Sequence, residues 1–105
     1  MPGTVLATAV AGFAASVAVG LCAIAAGAVV SQRVAGAADA AALAAADTAS
    51  GAISGVPCDR AAQIADAAGL RVASCEVDGL ISTVSVTGSF AGFGLEATAR
   101  AGPPP

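Results

Sequence analysis

The sequence lacks most of the side chains with which proteins catalyse reactions or bind nucleic acids. It has no histidine, lysine, tyrosine or tryptophan, and its four basic residues are all arginine. The usual general bases, Schiff-base nucleophiles and imidazole zinc ligands are therefore missing. Four arginines against seven carboxylates leave no basic face to neutralise a row of phosphates. We therefore expect no enzyme, no catalytic, cofactor-binding or metal site, and no nucleic-acid partner.

Charged and aromatic residues are also scarce. Only 10% of the residues are charged, whereas 57% are hydrophobic, and a soluble domain usually carries about 25% charge. Most of the hydrophobic residues are alanine, whose burial removes little apolar area from water. A chain of this size has difficulty folding on such a core alone.

A long uncharged run occupies the N-terminal third. Residues 5–30 have the sequence VLATAVAGFAASVAVGLCAIAAGAVV, and Arg33 is the first charged side chain. About 20 residues suffice for a helix to cross ~30 Å of hydrocarbon, so we predict a transmembrane helix over 1–32. Its glycines, Gly12, Gly20 and Gly27, would let neighbouring helices approach closely. A buried core helix and a cleaved secretory signal remain alternatives.

The helical pattern continues beyond the apolar run. Residues 33–50 are mostly alanine, which favours a stem that extends the first helix, so that one helix runs from about Gly3 to about Ser50. Asp39 and Asp47 lie on one side of this stem, and its other sides are smooth enough to pack closely. Gly51, Gly55 and Pro57 predict a linker over 51–57.

The remaining residues predict a small α/β domain over 58–101, which makes the fold class α+β. A short helix is expected from about Asp59 to Ala68, with Gly69 as its stop. Two β-branched runs joined by Asp78-Gly79 indicate a β-hairpin, and residues 95–100 are a candidate third strand. The Pro-rich tail, 102–105, is expected to be mobile.

A two-residue Asp78-Gly79 turn also predicts the hairpin register. It places Val77 opposite Leu80, Cys75 opposite Ser82, and Ala73 opposite Val84. One face of the hairpin is then moderately apolar and can lie on the short helix.

The three cysteines fall into two groups. Cys22 lies within the apolar run, where a thiol usually acts as a small hydrophobic side chain. Cys58 and Cys75 favour a disulfide in an oxidising compartment, with a stabilisation of about 3 kcal/mol. A metal site and two free thiols are the competing interpretations. The disulfide would place the C-terminal domain outside the cytoplasm, on a single-pass protein of the cell membrane.

Several motifs spread over nearly the whole chain are similar to those of one family. They are GTVLA near the start, Gln32-Arg33, ADAAALAAA at 38–46, Pro57-Cys58, VASCEVDG at 72–79 and ARAGP at 99–103. Together they resemble the small actinobacterial TadE-like proteins, which are encoded beside helicase and secretion genes.

The resemblance implies a minor pilin or pseudopilin of a tight-adherence (Flp-type) pilus or a related secretion system. Its implied partners are membrane lipid, other pilin-like subunits and Tad-type membrane platform components, and its implied helix-packing role falls on Asp39 and Leu43. The chain departs from typical prepilins because only Met1 and Pro2 precede Gly3 and no glutamate precedes Glu76. The alternative is a standalone single-pass protein whose disulfide-stapled outer domain modulates a neighbouring transport complex.

Overall fold

A computed structural model describes residues 1–104 as an α+β fold, as the sequence predicts. A single long helix is followed by a short helix and a three-stranded antiparallel sheet of order β1-β2-β3. The molecule is a rod of 76 × 27 × 17 Å. Its elements are α1 (Pro2–Ala49), α2 (Pro57–Ala67), β1 (Arg71–Asp78), β2 (Ile81–Phe90) and β3 (Phe93–Ala101).

Both helices end at a glycine that adopts a left-handed conformation. Gly51 follows α1 with φ +84°, and Gly69 follows α2 with φ +74°. The Leu70 N–H then donates to the Ala65 carbonyl at 2.9 Å, which closes a Schellman motif. The same pattern, at 3.0 Å, ends α1. These stops explain why the predicted C-terminal ends, Ser50 and Ala68, fall within one residue of the observed ends.

The core lies between the C-terminal half of α1, the sheet and α2. Alanine supplies most of it, because small side chains let the helix backbone approach the sheet closely. The sheet therefore lies mainly on α1, whereas α2 packs beside α1 and against β1. The hairpin contacts the short helix through β1, as the sequence predicts, but the larger contact of the sheet is with α1. The buried apolar residues are Val34, Ala37, Ala38, Ala41, Ala42, Ala45, Ala46, Ala61, Ala65, Val84 and Val86.

Two contacts fix the sheet against α1. The buried Ser82 hydroxyl donates to the Ala42 carbonyl at 2.8 Å. Gly88 leaves the space that Leu70 and Val34 fill, since a Cβ at Gly88 would lie 2.6 Å from Leu70 Cδ2. The close approach therefore depends on glycine at this position.

The predicted hairpin turn is wrong by one residue, which changes each predicted strand pair by two residues. The turn consists of Gly79 and Leu80, so that Asp78 pairs with Ile81 and Val77 with Ser82. Gly79 has φ +63°, whereas Leu80 has no positive φ. Glycine at the first central position is typical of a type II′ turn, and the type I′ turn assumed from Asp-Gly requires both central residues to have positive φ.

A bulge in β1 also changes the strand pairing from the predicted one. The register shifts between Val72 and Ser74, so Ala73 has no partner in the ladder, and Cys75 rather than Ala73 pairs with Val84. A bulge places two residues opposite one. It therefore keeps both Val72 and Cys75 on the side of the sheet that packs against the core.

The second turn, Ala91-Gly92, joins β2 to β3. Both residues have positive φ, 51° and 83°, as a type I′ turn requires. Phe90 pairs with Phe93 directly beside it. The third strand is thus longer than the predicted 95–100, because it begins at the turn.

Candidate membrane and assembly surfaces

The N-terminal half of α1 is bare. Every residue from Met1 to Ala26 is exposed, and the most apolar window has a mean hydropathy of 2.3 with none of it buried in the chain. At ~1.5 Å per residue the segment from Pro2 to Ala26 is about 37 Å long, against ~30 Å of hydrocarbon. This helix is long and apolar enough to span a membrane, which fits a single-pass membrane protein.

The C-terminal half of α1 has two different faces. One face packs on the sheet and α2. The other remains exposed, and we call it the open face; it consists of Gly36, Asp39, Ala40, Leu43 and Asp47. Because Asp39, Leu43 and Asp47 follow one another at a spacing of four, they form a continuous row along the helix.

Leu43 is the large apolar side chain of the open face, and it is 57% exposed. Two grooves lie beside it, between α1 and the end of β3, and Gly102 lines both of them. One, of about 260 Å³, is also lined by Leu80 and Pro103; the other, of about 430 Å³, is lined by Asp39 and Arg100. A neighbouring helix can place its side chains in such grooves.

The five residues predicted for helix packing lie in different surroundings along α1. Gly12 and Gly20 lie on the bare segment, with no atom close enough to touch an added Cβ, whereas a Cβ on Gly27 would lie 3.4 Å from the Phe90 ring. By helical periodicity Gly20 and Gly27 share the side of α1 that carries the sheet, opposite Asp39 and Leu43. The role of these residues in contacts between subunits stays a prediction.

A disulfide joins Cys58, near the start of α2, to Cys75 on β1, with their Cα atoms 5.9 Å apart. This is the pairing that the sequence favours. The bond ties α2 to the sheet, where the alanine-rich contact alone buries little area. Cys22 is free and exposed on the bare part of α1.

The predicted tail begins at Gly102, directly after β3. Pro103 lines the groove beside Leu43. Pro105, the last residue of the predicted mobile tail, lies outside the described residues.

Sequence reasoning missed a cleft at the end of the sheet nearest the bare helix. It has a volume of about 420 Å³ and is lined by Arg33, Arg71, Thr87 and Ser89, with no carboxylate among its lining residues. The two arginines are far apart in sequence, and only the antiparallel course of α1 and α2 brings them together. In residues 1–104 no group of three or more histidine, cysteine or acidic residues is placed to hold a metal ion.

The Ala91-Gly92 turn projects beside this cleft. Phe90 rests against Gly27, and Phe93 is 73% exposed. The tip of the β2–β3 hairpin therefore reaches the level at which α1 becomes bare.

Comparison with models of known protein families, with curated proteins and with solved structures yields no match.

Proposed function

We propose that this chain is a membrane-anchored, TadE-like minor pilin or pseudopilin, a structural or assembly component of a tight-adherence pilus or a related secretion system. The observation that carries the proposal is the continuity of α1. One helix passes from a bare apolar segment into a stem that is covered on one face only. Such a helix anchors a subunit and also presents a surface for its neighbours.

The proposed mechanism is assembly by helix packing. In the bilayer, lipid covers the bare segment, and association requires that helix contacts replace lipid contacts. Glycine and alanine surfaces favour this exchange because they let backbones approach closely. Above the bilayer the open face, with Leu43 beside two grooves, offers a second packing surface on the opposite side of α1 from Gly20 and Gly27.

The proposed orientation places the sheet and α2 outside the cytoplasm. The Cys58–Cys75 disulfide supports it, because disulfides persist in oxidising compartments and are rare where thiols are kept reduced. The other cysteine, Cys22, would be shielded within the bilayer.

Cys22 provides a native probe for the proposed packing. It is exposed on the bare segment, so membrane-permeable oxidants should join it to a cysteine placed on a neighbouring helix. We expect a crosslinked species of higher mass in native membranes, and its loss in Cys22→Ser. Gly20→Leu and Leu43→Asp should each weaken the crosslink while Cys58 and Cys75 stay protected from alkylation.

Matched controls separate packing from general damage. Gly3→Leu adds the same side chain where nothing lies within 4 Å. Ile64→Asp removes an apolar side chain that is 37% exposed on α2, away from the open face. Both controls should crosslink as the parent does. If Gly20→Leu and Leu43→Asp also crosslink normally, assembly by helix packing is wrong.

The alternative function is a standalone modulator of a neighbouring transport complex. It would be favoured if the protein is monomeric in native membranes and no pilus component is recovered with it.

A further inference from the structure

We propose that the tip of the β2–β3 hairpin and the adjacent arginine-lined cleft form one docking surface for the phospholipid monolayer from which α1 emerges. Phe93 would enter the boundary between acyl chains and headgroups, and Arg33 and Arg71 would hold lipid phosphate. The inference deepens the proposed function, since it rests on α1 spanning the membrane.

The hairpin tip lies level with the end of the bare segment, measured along the axis of α1. Residues 1–26 of α1 are bare, and the first contact with the rest of the chain is that of Gly27 with Phe90. The bare segment is about 7 Å longer than ~30 Å of hydrocarbon. When the charged N-terminal amine lies in the opposite headgroup layer, this extra length is used there, and the hairpin tip lies at the acyl boundary rather than in bulk water.

The exposed side chains at the tip suit that position. Phe93 lies between Gly92 and Gly94 and is 73% exposed. The tip carries no charge from Ser89 to Leu95. Apolar and aromatic side chains on an otherwise polar domain are the usual means by which a surface enters a membrane interface.

The arginine side chains reach the headgroups from just above them. Arg33 is six positions beyond Gly27, which is about 9 Å along the helix axis, whereas the headgroup layer is about 5 to 8 Å thick on each side. Side chains on a helix lean toward its N-terminus, so the long Arg33 side chain extends back into this layer. Arg71 reaches the same cleft from the start of β1, together with the Thr87 and Ser89 hydroxyls. Arginine and hydroxyl donors are suited to phosphate oxygens.

The distribution of charge favours lipid as the occupant. The chain has a net charge of −3, yet two of its four arginines line this one cleft and no carboxylate does. An anionic leaflet would therefore tilt α1 toward this side, so that the hairpin tip faces the membrane.

The absence of tryptophan and tyrosine from the sequence permits a clean test. Phe93→Trp gives the full-length protein a single indole at the hairpin tip. Leu80→Trp places one at the opposite turn, about 33 Å away along the ten residues of β2. Phe13→Trp places one within the bare helix.

Each variant is reconstituted into phosphatidylcholine–phosphatidylglycerol vesicles whose acyl chains carry bromine, which quenches nearby indoles. We expect quenching of Phe13→Trp and Phe93→Trp and none of Leu80→Trp. Quenching of Phe13→Trp alone would overturn the docking surface and leave the membrane span intact. If Phe13→Trp is not quenched, the proposal that α1 spans the membrane is wrong, and the proposed docking surface is then wrong as well.

The arginines are tested in the Phe93→Trp background. Each arginine near an anionic surface favours the docked orientation by about fivefold, so Arg33→Gln with Arg71→Gln should lower the docked-to-free ratio by about 30-fold and with it the quenching. Arg100→Gln, on the open-face side, is the matched control and should leave quenching unchanged. Equal quenching in all three proteins would overturn the role of the arginines as phosphate ligands.

Discussion

Two adjacent alanines of α1 provide a sharp test of how this fold is stabilised. Ala41 is fully buried in the core, whereas its neighbour Ala40 is exposed on the open face. Replacing either with leucine adds the same three carbons to the same helix. Intrinsic helix propensity changes by only a few tenths of a kcal/mol, so any larger difference between the variants comes from tertiary packing.

The structure gives the size of the expected difference. Ala41 is 0% exposed and belongs to the one buried cluster that α1, α2 and the sheet share, so no open space adjoins its side chain. Overfilling such a site typically costs about 1 to 3 kcal/mol. Ala40→Leu should be neutral within ~0.5 kcal/mol.

Hydrogen exchange measures this difference directly. The amides of β2, the central strand, open when the sheet separates from α1. In Ala41→Leu they should exchange about 5- to 150-fold faster than in the parent, which is the same free energy expressed as a rate ratio. Ala40→Leu should leave them unchanged. Equal exchange in both variants would refute the assignment of the buried face.

The remaining predictions concern the disulfide and the strands. Cys58→Ser with Cys75→Ser should destabilise the sheet and α2 by about 3 kcal/mol, as seen by urea denaturation, because the unfolded chain loses its cross-link; an unchanged midpoint would contradict this. Gly88→Ala should lower the free energy of unfolding by about 1 to 3 kcal/mol relative to Gly94→Ala, measured by urea denaturation. An added Cβ at Gly88 meets the side chains of Leu70 and Val34, whereas one at Gly94 meets no atom within 4 Å. Ala91→Gly should stabilise the fold by about 1 kcal/mol, measured as a rise in Tm, because Ala91 has φ 51° and an L side chain is disfavoured there; a lower Tm would count against the turn assignment.

Local signals in the sequence were sufficient to predict the elements themselves. The uncharged run and the alanine stem predict one long helix, and the glycines at 51 and 69 stop both helices where the structure ends them. These features depend on backbone preferences and on hydrophobicity over a short window, so they do not require the rest of the fold.

The hairpin register shows where local reasoning fails. Asp78-Gly79 is a strong turn signal, yet the turn is centred on Gly79 and Leu80, and β1 carries a bulge at Ala73. The shift of the turn leaves Cys75 on the face of Ser82 and Val84, whereas the bulge brings Val72 to that same face, against the core. Burial across the sheet therefore favours the bulge, which the dipeptide does not encode.

The sequence by itself determined that this protein has an apolar helix, a helical stem, a small α/β unit and a pair of cysteines suited to a disulfide. Asp39 and Asp47 mark the polar side of the stem in the sequence, but only the tertiary structure decided which alanines are buried, because alanine gives no hydrophobic contrast between Ala40 and Ala41. It also decided that Arg33 and Arg71 share a cleft beside the Phe93 hairpin tip. That juxtaposition arises from packing between elements distant in sequence, which no local pattern encodes.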